Sequence, residues 1–177
     1  KMMGIETAKS STPQWVRTKL EEGFNVAMTG TEQELWDFVE NARTEFFSLP
    51  PEVVAFPRGV RNLKQYQGEN TVYRKSTPIH VRGSLLFNHY LEEKNLKGKY
   101  ETIKEGEKIH FCYLTLPNPI NENVIGFVGE LPKEFDLHKF TDYDMQFNKA
   151  FLDPLRVVVH LMGWNTEPTA SLDSFFT

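Results

Sequence analysis

Lys108–Val128, KIHFCYLTLPNPINENVIGFV, is where the hydrophobic period of the chain changes. Ile109, Phe111 and Tyr113 alternate with His110 and Cys112, and after a break Leu114 and Leu116 do the same. Such alternation lines one face of a strand. Pro117–Asn123 is dense in turn formers and Val124–Val128 is a second short apolar run, so the stretch reads as a β-hairpin. The segments on either side carry a helical period. The expected class is therefore α+β, mostly helical, with a small hairpin packed on a helical body.

Upstream, KMMGIET reads as a short extended segment, and Lys1 in first position suggests part of a longer chain. Thr12 is an N-cap candidate with Pro13 at the first helical position, and Trp15, Val16 and Leu20 open an apolar stripe. Thr31 and Glu34 form a capping box before Leu35, Phe38, Val39, Ala42 and Phe46, which recur every three or four residues. Leu49-Pro50-Pro51 ends that helix, and Glu52–Phe56 is expected to be extended. Gly68–Thr77 is a polar loop, and Pro78–Arg82 leads into a helix through Ser84–Leu91.

Downstream, Thr141-Asp142-Tyr143-Asp144 predicts another capping box, and Tyr143, Phe147, Phe151, Leu155, Val158 and Met162 follow as a stripe. Pro154 kinks or restarts this helix, and Gly163 closes it. The pair Asp142 and Asp144 could suggest a metal site, but acids in a first turn are favoured by the helix dipole, so capping is the preferred reading.

The charge is unevenly laid out. The formal net charge of -4 divides into +3 over residues 1–19, -7 over 20–55, +6 over 56–99 and -6 over 100–177. In FPRGVRNLKQYQ (Phe56–Gln67) and YRKSTPIHVRGSLLFNHYL (Tyr73–Leu91) the cations are Arg58, Arg61, Lys64, Arg74, Lys75 and Arg82. Glu69 is the one acid before Glu92. A helix from about Gly59 would put Arg61, Lys64 and Gln65 on one face with Val60 and Leu63 turned to the core. Arg58 and Arg61 beside its N-terminus would suit an anion, for which a nucleic-acid phosphate is the obvious choice. The plainer alternative is a solvated helix face.

Cys112 is the single cysteine, which excludes an internal disulfide and a cysteine-based zinc cluster; His110 shares its strand face, but two ligands make no metal site. His80 and His89 lack a nucleophile beside them, and there is no Ser-His-Asp set, glycine-rich phosphate loop or nucleotide fingerprint. No apolar run is long enough for a membrane span and no secretory leader opens the sequence, so an intracellular chain without membrane partner is expected.

The C-terminus, Thr169–Thr177 (TASLDSFFT), follows Glu167-Pro168. Leu172, Phe175 and Phe176 fall on one side of a single helical turn, and they either fold back or enter a groove on a partner. The pattern resembles the Gln-x-x-aliphatic-x-x-Phe-Phe peptide by which replication proteins attach to sliding clamps, with Thr169 in the Gln position.

Five separated segments together carry a wider resemblance. KMMGIETAKSSTPQWV, with Lys1, Gly4, Glu6, Lys9, Ser10, Ser11, Thr12 and Pro13, is similar to the passage from palm to thumb in family-B DNA polymerases of T-even-type bacteriophages. Pro78, His80, Arg82 and Gly83 in TPIHVRG, the Glu105–Lys108 segment EGEK, and Tyr143, Lys149, Phe151, Pro154 and Leu155 resemble the body of that thumb. SLDSFF occupies the place of its clamp-binding end. The resemblance implies an entry segment over 1–12, a thumb-like helical body over 13–164 with a small β-hairpin element, and a tail over 165–177.

It further implies a subdomain that closes on primer-template duplex DNA and grips its backbone and minor groove. Arg58, Arg61, Lys64, Lys75 and Arg82 are the implied DNA contacts, with Lys1 and Lys9 near the primer strand. Leu172, Phe175 and Phe176 are the implied clamp anchors. The implied partners are primer-template DNA, a sliding clamp and the N-terminal palm, fingers and exonuclease portion, in the cytoplasm of an infected bacterial host. Nucleotides and Mg2+ belong to the palm and fingers, so no catalytic residue, metal or other cofactor is expected here, and this chain alone is expected to be inactive as a polymerase. The competing readings are a stand-alone clamp-tethered duplex-DNA-binding module, the C-terminal subunit of a split polymerase, or a purely protein-binding adaptor.

Overall fold

In the computed structural model, residues 9–169 are described. They form two compact units, one built from residues up to Leu49 together with those from Phe147 onward, the other from Pro50–Gln146. The class is α+β and mostly helical, with one three-stranded antiparallel sheet.

The first unit is helical. Its first helix, α1, is Gln14–Thr29, and Pro13 stands at the N-cap with no side-chain bond to the helix. That corrects the expected start: Thr12 is buried instead of capping. The second, α2, is Glu32–Phe47 and has the expected capping box, with Thr31 Oγ1 accepting from the Glu34 N–H and Glu34 Oε2 from the Thr31 N–H. Val16, Leu20 and Phe24 of α1 and Leu35, Val39 and Phe46 of α2 are buried at helical spacing. Phe46 meets Phe147 edge-on at 5.2 Å, and Phe147 stacks on Phe151 at 5.0 Å. Burying each such ring contributes roughly 1.5–3 kcal/mol.

The last helical stretch departs from one continuous helix. Asn148–Leu152 is a π-helical turn, closed by Asp153 N–H donating to the Asn148 carbonyl, and Asp153–His160 (helix α7 below) follows with Pro154 in its first turn. Phe147, Phe151 and Leu155 are spaced by four each, which runs ahead of a 3.6-residue period. The wider turn absorbs the excess, and Pro154, lacking an N–H, restarts the helix. The inward position then falls on Val159, so the expected core roles of Val158 and Met162 do not hold; Met162 is 42% exposed. Gly163 closes the stretch as expected, at φ +76.

The second unit holds the sheet. It starts with α3, Pro51–Val54, which replaces the extended segment expected there. Strand β1, Phe56–Gly59, comes next, then a single turn α4, Leu63–Tyr66, and the long α5, Ile79–Glu93. Strands β2, Lys108–Tyr113, and β3, Val124–Phe127, form the expected hairpin, and β1 adds to the other side of β2. Pro57 is tolerated in β1 because that strand lies at the sheet edge.

Helix α5 lies across β3 at a point where two glycines face each other. A Cβ on Gly83 would sit 2.8 Å from the Gly126 nitrogen, and one on Gly126 would sit 2.9 Å from the Gly83 carbonyl carbon. Backbone meets backbone at this crossing, with no side chain between.

Gln146 ties separate segments of this unit together. It lies in α6, Tyr143–Phe147, and is fully buried. Its amide donates to the Val54 carbonyl at 2.8 Å and accepts the Tyr113 N–H at 3.0 Å. The cap of α6 is Asp142, whose Oδ1 accepts the Met145 N–H, and not Thr141 as the capping-box reading had it.

Candidate nucleic-acid interface

The basic strip does not form the helix predicted from Gly59. Arg58 lies in β1, and Asn62 takes a left-handed conformation at φ +64, which no α-helix can continue through. Only Leu63–Tyr66 is helical. The amides at its start are already occupied by the protein's own carboxylate. Glu105 accepts from the Asn62 N–H at 2.6 Å and the Leu63 N–H at 3.0 Å. The expected anion site at this terminus is therefore corrected: its physics is right, and Glu105 fills it.

The cations are nevertheless brought into one unit on adjoining segments. Arg58 stacks 5.9 Å from both the Phe56 and Phe111 rings. Phe111 also carries His80, from the first turn of α5, at 6.3 Å. Burial, and secondarily the Arg58 charge, hold the His80 imidazole below its ordinary pKa, which favours the neutral ring. Arg61, just before the Glu105-capped turn, and Lys64, within it, are both exposed.

The loop that follows is tied back onto that turn. Arg74 N–H donates to the Tyr66 carbonyl at 2.8 Å and its Nε to the Gln67 carbonyl at 3.0 Å, which places exposed Lys75 beside the end of α4. Arg82 lies on the Tyr73 ring at 5.5 Å, and its Nη2 donates to Asn123 Oδ1 at 2.5 Å.

Among the described residues, Arg61, Lys64, Lys75 and Arg82 make no ion pair, whereas Lys19, Arg43, Lys97, Lys99, Lys139 and Arg156 each pair with an acid. The sequence reading missed Lys108, which the strand register sets opposite Gly59 and next to this surface. Lys9 is exposed in the first unit. Lys1 and the three tail residues Leu172, Phe175 and Phe176 lie outside the described residues.

Burial pushes the Cys112 thiol up to about 12, so it stays protonated, and burial lowers the pKa of His110, which stacks on Phe127. Among the described residues no three His, Cys, Asp or Glu side chains come together as a metal site. None of the helices among them is long and apolar enough to cross a membrane.

Guanidinium and ammonium groups presented in this way can hydrogen-bond phosphate oxygens, a contact that carries no base information. The DNA-directed DNA polymerase of Enterobacteria phage T4 is 29% identical to this chain over 180 residues, and that of Escherichia phage RB69 is 29% identical over 183. Each match takes in 99% of this chain and 20% of the polymerase. By sequence, the chain resembles a segment of a T4-like DNA polymerase. This polymerase-like segment thus spans about a fifth of the length of the curated relatives it matches. No protein-family profile matches it.

Proposed function

We propose that the chain is the thumb portion of a phage family-B DNA polymerase, gripping primer-template duplex through backbone and minor groove. The observation that carries the reading is the set of unneutralised cations, Arg61, Lys64, Lys75 and Arg82 with Arg58 beside them, in a chain similar throughout to a polymerase segment. Phosphate contacts fix the position of a duplex and carry no base information, which suits an enzyme that must hold every sequence. Lys1 and Lys9 are assigned to the primer side. Leu172, Phe175 and Phe176 are assigned to a sliding clamp, where tethering would raise the effective concentration of polymerase at the primer end.

Nucleotidyl transfer with its Mg2+ ions belongs, on this reading, to the palm and fingers of an N-terminal portion, and the setting is the cytoplasm of an infected bacterium. The chain by itself is expected to give no primer extension with all four nucleotides and Mg2+; extension by the pure chain would overturn this assignment.

The deciding experiment is binding to a primer-template duplex across a salt series. Log K is expected to fall with log salt by about 0.9 per phosphate contacted, regardless of base sequence. Reversing Arg58, Arg61 and Arg82 to Glu is expected to flatten the slope by about 2.7 and weaken binding on the order of 10²-fold. Lys133→Glu, an exposed cation elsewhere, serves as the control. Equal binding by the wild type and the triple variant would make the strip a solvated face.

A further inference from the structure

Arg82 keeps its charge beside a carboxylate that does not pair with it. Glu122 and Asn123 are consecutive, and Arg82 bonds the amide oxygen of Asn123 while Glu122 makes no ion pair with it. Both oxygens of Glu122 instead accept from the Tyr73 hydroxyl, at 2.8 and 3.0 Å. The Tyr73 ring is at the same time the surface on which the Arg82 guanidinium rests.

A guanidinium–carboxylate bond is stronger than a phenol–carboxylate one, so some constraint must hold this arrangement. Part of it is the hairpin loop. The Asn118 amide donates to the Thr115 and Glu122 carbonyls at 2.8 and 2.7 Å, which fixes the backbone that carries Glu122. The rest is Tyr73. Its hydroxyl is the one side-chain donor to the Glu122 carboxylate among the described residues, and burial together with Glu122 raises its pKa, so it remains a donor. Arg82 also interacts with the Tyr73 side chain, its Nη2 donates to Asn123, and its Nε is buried without a partner, so none of these contacts is to a carboxylate.

We propose that Tyr73 is a positioning residue that sequesters the Glu122 carboxylate and thereby keeps Arg82 available to a phosphodiester oxygen. The inference rests on the duplex-binding reading above. Without the Tyr73 hydroxyl, Glu122 turns to Arg82 and the neutralised guanidinium no longer recruits phosphate. A merely structural role for Tyr73 would lower stability and leave the number of phosphates contacted unchanged.

The experiment is the same duplex salt series with Tyr73→Phe, Arg82→Gln, Glu122→Gln and the double variant Tyr73→Phe/Glu122→Gln, each checked for an unchanged circular-dichroism spectrum. Tyr73→Phe is expected to lose about 0.9 from the slope and several-fold in affinity, as Arg82→Gln does. The double variant is expected to regain the wild-type slope, because the neutral amide cannot cancel the charge, and Glu122→Gln alone is expected to match wild type. A wild-type slope in Tyr73→Phe, or no recovery in the double variant, overturns the inference while leaving duplex binding intact. Absence of duplex binding by the wild type overturns both, and so distinguishes the two failures.

Discussion

Gly126→Ala is expected to destabilise the protein by about 2–3 kcal/mol, and Gly83→Ala by somewhat less. The added Cβ of Gly126→Ala would stand 2.9 Å from one backbone atom of α5 and 3.0 Å from another, the Ser84 nitrogen. Backbone cannot rotate away as the end of a side chain can, so α5 must lift from β3, loosening the buried residues Leu86 and Phe87 with it. Gly83 differs because it is helical, where alanine is intrinsically favoured by about 1 kcal/mol. That gain offsets part of the clash without reversing it. The double variant is expected to cost less than the two single variants together, since the first displacement already makes room for the second methyl. Gly59→Ala has nothing within 4 Å of its new Cβ and should be nearly neutral. Urea denaturation of the four variants would decide; additive single costs would mean that the two glycines do not share one contact.

Gln146→Leu is the other large effect expected, a loss of about 3–5 kcal/mol. The substitution conserves size, so almost no cavity arises. What is lost is the donor to the Val54 carbonyl and the acceptor for the Tyr113 N–H, in a place closed to water. Each orphaned buried backbone group costs about 1–3 kcal/mol, and the two add because they lie on different elements. The same exchange at Gln65, which is exposed, should stay within about 0.5 kcal/mol. Equal midpoints for the two variants would refute the bridging role.

The helices and the hairpin were legible because their signals are local. Thr31 with Glu34, the spacing from Leu35 to Phe46, and the alternation from Ile109 to Tyr113 each depend on neighbours in sequence. Caps were misplaced by one residue at α1 and α6, and two larger errors fell where a partner distant in sequence decides. The Phe56–Gly59 strand exists because β2 pairs with it, and the helix start at Leu63 is set by Glu105, more than forty residues away. The π-helical turn was hidden for another reason: spacings of four suit an ordinary helix over two turns and fail only when summed over three.

The candidate site was legible as composition and not as arrangement. The excess of cations over acids in 56–99 could be counted, yet which of them would stay unneutralised could not. That depends on where Glu105, Glu122 and Glu134 point. Glu134 takes Lys99 and Tyr100, and its carboxyl is lowered to about 2 by them. Glu122 is taken by Tyr73, and Glu105 by backbone amides.

The chain order of the two units bears on how the protein is made. Pro50–Gln146 is continuous, so it can complete its own contacts while the ribosome is still adding later residues. The other unit needs α1 and α2 from the beginning and α7 from the end, so its apolar stripes must wait. A folded intervening unit shortens the effective loop that has to close when α7 arrives, which lowers the entropy lost in closing it. Until α7 emerges, the α1 and α2 pair lacks the residues of α7 that pack against α1.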